Sequence, residues 1–94
     1  MALSQESAEV VGLKALEWLL GDEEVLAVFM GSTGASADDV RAGAADPAFL
    51  GAVLDFILMD DAWVQSMCDA TALTYDKPMM ARAMLPGGEA VHWT

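Results

Sequence analysis

Few side chains in this sequence could carry covalent chemistry. A hydrolase needs a nucleophile, a base and an orienting group within hydrogen-bonding reach of one another. The one histidine, His92, stands close to the C-terminus, where we expect it to be solvated. The one cysteine, Cys68, falls on an apolar stripe, where a thiol behaves as a small hydrophobe. We therefore assign no catalytic residue and expect the protein not to be an enzyme.

Asp55 is the one charged residue in the apolar run PAFLGAVLDFILM, residues 47 to 59. A buried carboxylate with a shifted pKa would mark a functional site. A solvated position or an ion pair with Arg41 or Arg82 is the favoured explanation. Asp55 is therefore a weak functional candidate. The alternative function is a small enzyme or divalent-metal-binding protein that uses Asp55 and nearby carboxylates.

Clusters of acidic residues are a second group of side chains that could bind a metal ion. The alternating oxygen ligands of an EF-hand loop are absent, and GSTGAS at 31 to 36 lacks the lysine of a phosphate-binding loop. Most acids instead precede or open predicted helices, where they cap the helix or interact with its dipole. Nine of the fifteen do so: Asp22, Glu23, Glu24, Asp38, Asp39, Asp46, Asp60, Asp61 and Asp76. We expect no metal and no cofactor.

Apolar residues recur every three to four positions, which predicts helices throughout. The helix starts are Asp22, Ser36 in a capping box with Asp39, Asp46 before Pro47, and Asp60. The first helix is predicted over 7–20, ending at Gly21, and the third ends near Ala44. The fourth runs to Met59 and, being apolar almost all round, should be central. Thr74 or Asp76 should cap the last helix, which runs to about Leu85.

A repeat organises these helices into two halves. LEWLLGDEE at 16 to 24 returns as LDFILMDDA at 54 to 62, 38 positions later and without a gap. Such units bury their apolar faces by covering each other, although any two capped amphipathic helices look somewhat alike. The prediction is an all-α, compact bundle of five to six short helices, with two pseudo-symmetric three-helix halves as one arrangement. It comprises a single helical domain over 1–88 and a flexible C-terminal tail over 89–94.

Composition restricts the partners. A net charge of −11 disfavours binding to nucleic acid or an anionic membrane. The N-terminus lacks the positive charge of a signal peptide, and the apolar run at 47–59 is too short to span a bilayer. We expect a cytoplasmic protein.

The surface is the remaining candidate for function. Hydrophobic residues make up 55% of the chain and include seven methionines. Met79, Met80 and Met84 on the last helix, beside Trp93, form a possible interaction surface, although flexible thioethers suit irregular cores equally well. The leading hypothesis is a small soluble helical protein acting as a non-enzymatic protein-protein interaction domain with an acidic surface. Its partner would be another protein or a second copy in a homodimer, and a nucleic-acid mimic ranks last.

Core and capping residues also carry a resemblance. The stretch ADPAFLGAVLDFILMDDAWV (45 to 64), preceded by ALEWLLGDEEVLAVF and followed by ARAMLPGG, resembles a family of small bacterial proteins known as the domain of unknown function number thirty-five seventy-two. The likeness covers about residues 8 to 88. It implies an all-α cytoplasmic bacterial protein with no assigned activity, and it transfers no catalytic residue.

Overall fold

Six α-helices and one short 3-10 turn make up residues 4–86, the part of the chain that the computed structural model describes. The helices are α1 (Gln5–Leu20), α2 (Glu23–Thr33), α3 (Ala37–Ala42), α4 (Pro47–Ile57), α5 (Asp61–Thr71) and α6 (Lys77–Met84), and the 3-10 turn is Gly43–Ala45. No strand occurs within these residues, so the all-α prediction is confirmed. The predicted tail, 89–94, which contains His92 and Trp93, lies outside the described residues.

Four of the predicted helix starts are confirmed. The carboxylates of Asp22, Asp46 and Asp60 each accept a hydrogen bond from a backbone N–H in the first turn of the following helix. Ser36 and Asp39 form the predicted capping box at the start of α3. These side chains satisfy backbone donors that have no partner inside the helix.

The start of α6 differs from the prediction. Asp76 occupies the N-cap position, but its carboxylate makes no capping hydrogen bond. It accepts a hydrogen bond from the Thr74 hydroxyl at 2.6 Å instead, and this bond lowers the pKa of Asp76. Because Pro78 stands at the second helical position and has no N–H, one of the donors that an N-cap side chain normally binds is missing. The expectation that Thr74 or Asp76 stands at the start of α6 is therefore confirmed for the position of Asp76, whereas a side-chain cap is absent.

The core is built around α1 and α4. α1 packs along α4 and α6 and also contacts α2 and α5, so it shares the central position that was predicted for α4 alone. Phe29 of α2 meets the rings of Phe49 and Phe56 edge-on, with centroids 5.9 and 5.1 Å away. The largest fully buried side chains are Phe29, Leu19, Leu50, Leu54, Ile57, Met67, Leu85, Val40, Val53, Pro78 and Cys68.

The repeat is visible in the details of α2 and α5. Both helices have 11 residues, and α5 begins and ends 38 positions after α2. Each ends at a left-handed residue, Gly34 with φ 78° and Ala72 with φ 60°. The hydroxyls of Thr33 and Thr71 each donate to the carbonyl four residues earlier, both at 2.7 Å. These matching details support the interpretation of two related halves.

Ala72 differs from its counterpart Gly34 because it has a Cβ atom. The left-handed conformation is strained in a residue with a Cβ. We expect Ala72→Gly to raise the free energy of unfolding by about 0.5–1 kcal/mol, the relief of strain being partly offset by the greater freedom of glycine in the unfolded chain. Urea denaturation would measure the change. The matched control is Ala70→Gly, within α5, which should lose about 0.5–1 kcal/mol. A loss of stability in Ala72→Gly would contradict the assigned backbone conformation.

Candidate functional site

Asp55, the weak functional candidate, is joined to Arg82 by a bidentate ion pair between α4 and α6. Arg82 Nε lies 2.6 Å from Asp55 Oδ1, and Nη2 lies 2.8 Å from Oδ2. The Arg82 side chain is only 15% exposed, whereas that of Asp55 is 57% exposed. Of the two arginines considered, Arg41 instead contacts Asp38 at 3.2 Å on the surface of α3. The expectation of an ion pair with one of the two arginines is confirmed for Arg82.

The rest of the Arg82 guanidinium is also engaged. Its Nη1 donates to the carbonyl oxygen of Pro86 at 3.0 Å. A Cβ atom on Gly51 would lie 2.5 Å from Nη1 and 3.2 Å from the Pro86 oxygen. A glycine at this position therefore leaves the space that the guanidinium occupies. We name this arrangement of Gly51, Asp55, Arg82 and Pro86 the arginine clamp.

Most of the other acidic side chains lie at helix starts, as the sequence predicted. Within residues 4–86, no group of three or more His, Cys, Asp or Glu side chains is placed to hold a metal ion. Asp39 and Asp46 line a depression of about 410 Å³ beside Phe49. Both carboxylates already accept hydrogen bonds from backbone N–H groups at helix starts. Their placement agrees with the capping role expected of them.

Cys68 lies in the core, as predicted, with its Sγ 3.6 Å from the carbonyl oxygen of Thr74. Burial raises the pKa of the Cys68 thiol, and the charges of Asp69 and Asp76 raise it further. Since the thiolate is the reactive form, a raised pKa disfavours nucleophilic chemistry. Nearby, the Tyr75 hydroxyl donates to Asp69 Oδ1 at 2.9 Å, which raises the pKa of Tyr75.

The candidate interaction surface on α6 is only partly exposed. Met79 is 66% and Met84 38% exposed, while Met80 is half-buried. Trp93 lies outside the described residues. The role of these side chains in binding stays a prediction.

A groove on the outer face of α1 was missed by the sequence analysis. It measures about 420 Å³ and lies between α1 and the 3-10 turn. Three of its apolar side chains, Val10, Leu13 and Leu20, are 48%, 41% and 41% exposed. The full lining is Val10, Leu13, Lys14, Leu16, Glu17, Leu20 and Ala44. We call this the α1 groove.

Helical geometry explains the exposure. At 3.6 residues per turn, Val10, Leu13 and Leu20 fall on the side of α1 opposite the core residues Ala8, Val11, Ala15 and Leu19. α1 therefore carries apolar side chains on its outer side as well as on the inner side that α4 and α6 cover. A signal was present in the sequence, namely a second apolar series at positions 10, 13 and 20. This second series was overlooked because the apolar series that faces the core contains more residues.

The charged residues beside the groove are mostly acidic. Glu6 and Glu17 fall on the same side of α1 as Leu13, and both are exposed. Lys14 is the one basic residue of the lining. Within residues 4–86, Glu17 makes no ion pair.

Comparison with known proteins gives one match. No curated protein and no solved structure matches the chain. Within the described residues, no helix has both the length and the apolar character needed to cross a membrane. One family model, described as "Protein of unknown function (DUF3572)", matches residues 5–88. That match spans α1 to α6, and the chain therefore belongs to the DUF3572 family of proteins of unknown function.

Proposed function

We propose that this protein is a non-enzymatic protein-interaction domain that holds an apolar, positively charged segment of a partner protein in the α1 groove. The observation that carries the proposal is the uncovered apolar face of α1, with Val10, Leu13 and Leu20 all more than 40% exposed. Apolar side chains gathered in a groove with a polar rim are typical of binding surfaces. With 16 residues, or about four and a half turns, α1 is also long enough to contact a short helical or extended segment.

Charge favours a basic partner. The protein carries a net charge of −11, and Glu6 and Glu17 stand beside the groove. A positively charged segment would be attracted over long range, and its association would be accelerated. A second copy of the chain would bring another −11 and be repelled.

The size of the groove favours a short segment of the partner over a whole folded domain. Seven residues line it, whereas a stable interface between two folded proteins uses about 20–30 residues on each side. A groove of this size suits a few anchoring side chains of a partner.

The alternative, an enzyme or metal-binding protein using Asp55, has less support. Both carboxylate oxygens of Asp55 accept hydrogen bonds from Arg82. A metal ion or a substrate proton would have to compete with a bidentate partner, which is among the stronger polar contacts in proteins.

Site-specific photocrosslinking in the native cell would test the proposal. A benzoylphenylalanine at Leu13 should give a covalent adduct whose crosslinked segment, identified by mass spectrometry, is apolar and basic. The matched control places the same group at Met59, which is 73% exposed but lies outside the groove, and should give no such adduct. A sole adduct with a second copy of the chain, or none at all, would overturn the proposal.

A further inference from the structure

The two halves of the chain differ in the residues at one set of equivalent positions. Moving 38 residues along the chain relates Leu13 to Gly51, Glu17 to Asp55 and Ala44 to Arg82. The first members of these pairs line the α1 groove. The second members belong to the arginine clamp. The groove and the clamp therefore occupy corresponding positions in the sequence repeat, although Ala44 lies in the 3-10 turn and Arg82 lies in α6.

In the second half, the site is filled from within. Arg82 reaches from α6 onto α4, pairs with Asp55 through two hydrogen bonds of 2.6 and 2.8 Å, and is only 15% exposed. The absence of a Cβ on Gly51 provides room for the guanidinium.

In the first half, the arginine is replaced by Ala44, and the space is an open groove of about 420 Å³. The acid is retained as Glu17, which makes no ion pair within residues 4–86. Leu13, the counterpart of Gly51, adds an apolar wall to the groove, so a guanidinium in the first half would lie beside a leucine side chain and not over a glycine.

We infer that the α1 groove binds an arginine side chain of the partner, with the guanidinium paired to Glu17 and the methylene stem lying against Leu13 and Leu20. The inference rests on the proposed function and specifies the residue that the partner inserts. Arginine is favoured over lysine because its planar guanidinium binds a carboxylate through two hydrogen bonds, as Arg82 does, and its stem packs on apolar surface.

Lys14 is the feature that opposes this binding. It lines the groove and carries the same charge as the incoming arginine. Its counterpart in the second half is Ala52. Removal of the Lys14 charge should therefore tighten binding.

A peptide titration followed by NMR would test the inference. The probe is acetyl-Leu-Leu-Arg-Ala-Leu-amide, compared with versions in which citrulline or lysine replaces arginine. Citrulline keeps the shape of arginine but lacks its charge. We expect the arginine peptide to bind at least tenfold more tightly than the citrulline peptide and several-fold more tightly than the lysine peptide. Chemical-shift changes should be confined to residues 10–20 and the backbone near Ala44.

Variants of the protein would show whether Glu17 binds the arginine of the peptide. Glu17→Gln should weaken binding of the arginine peptide about tenfold, whereas the control Glu24→Gln, a matched charge change on exposed α2, should leave it unchanged. Lys14→Ala should tighten binding several-fold. Ala44→Arg should place an arginine of the protein itself beside Glu17, abolish binding of the peptide and slow the exchange of the new arginine Nε–H. That slowing should be lost when Glu17→Gln is added.

Other outcomes would overturn the inference. Equal affinity for the arginine and citrulline peptides would do so, as would shifts centred on Met79 and Met84 instead of the groove. Crosslinking at Leu13 to a partner segment without arginine would also overturn the inference while leaving the proposed function standing. Circular dichroism and melting temperature of each variant would show whether a loss of binding comes from unfolding.

Discussion

Replacement of Phe29 with alanine should lower the free energy of unfolding by about 3–5 kcal/mol. Phe29 is 1% exposed and is one of the largest buried side chains. Its ring contacts Phe49 and Phe56 edge-on, at centroid distances of 5.9 and 5.1 Å. The substitution therefore removes buried apolar surface and two aromatic pairs, and it leaves a cavity that the helices on either side cannot readily close.

The loss is large relative to the total stability, since a domain of this length is typically stable by about 5–14 kcal/mol. Thermal unfolding should show a melting temperature lower by at least about 12 °C, and urea denaturation at constant slope would give the energy directly. The control is Val28→Ala, the adjacent residue of α2, which is 49% exposed and should change stability by less than about 0.5 kcal/mol. Similar losses in the two variants would mean that Phe29 is not a central core residue.

Much of the fold could be predicted from the sequence because the determining interactions are local. Asp22, Asp46 and Asp60 each bind a backbone N–H within three residues. Such contacts can be inferred from residue type and spacing alone. Asp76 holds the predicted N-cap position but makes no capping hydrogen bond, because its backbone is helical where an N-cap is normally extended, and its carboxylate is bound by Thr74.

The candidate site was harder to predict because it depends on contacts between distant residues. Asp55 and Arg82 are 27 positions apart, and periodicity could not choose between Arg82 and Arg41. The space left by Gly51 depends on how α6 lies against α4. Only the packing of helices determines which apolar residues of α1 remain uncovered.

The repeat connects the local sequence pattern with the contacts between distant residues. It was recognised from local sequence similarity, and it places the α1 groove and the arginine clamp at equivalent positions. At these positions the halves differ in several residue pairs, including Ala44 and Arg82, Leu13 and Gly51, and Lys14 and Ala52. Under the proposed function, the two halves keep similar core helices, while only the first half leaves this position open to a partner.

Gly43 is a second position where the size of a side chain is decisive. It lies at the end of α3 with φ −63°, a conformation open to any residue. A Cβ atom there would collide with the ring of Phe49. That ring is held against Phe29, so it cannot move away without disturbing the aromatic cluster. Gly43→Ala should therefore cost about 2–3 kcal/mol through overpacking.

The matched control is Gly31→Ala on the exposed side of α2, where a Cβ would meet nothing within 4 Å. It should stabilise the protein by about 0.5–1 kcal/mol, because alanine favours the helix. Urea denaturation of both variants would thus give effects of opposite sign. Steric conflict with the ring also predicts that Gly43→Ala combined with Phe49→Leu loses at least about 1 kcal/mol less than the two single losses added together. Strict additivity would mean that the cost arises elsewhere in the turn, since only a shared contact between residues 43 and 49 makes the two substitutions compensate.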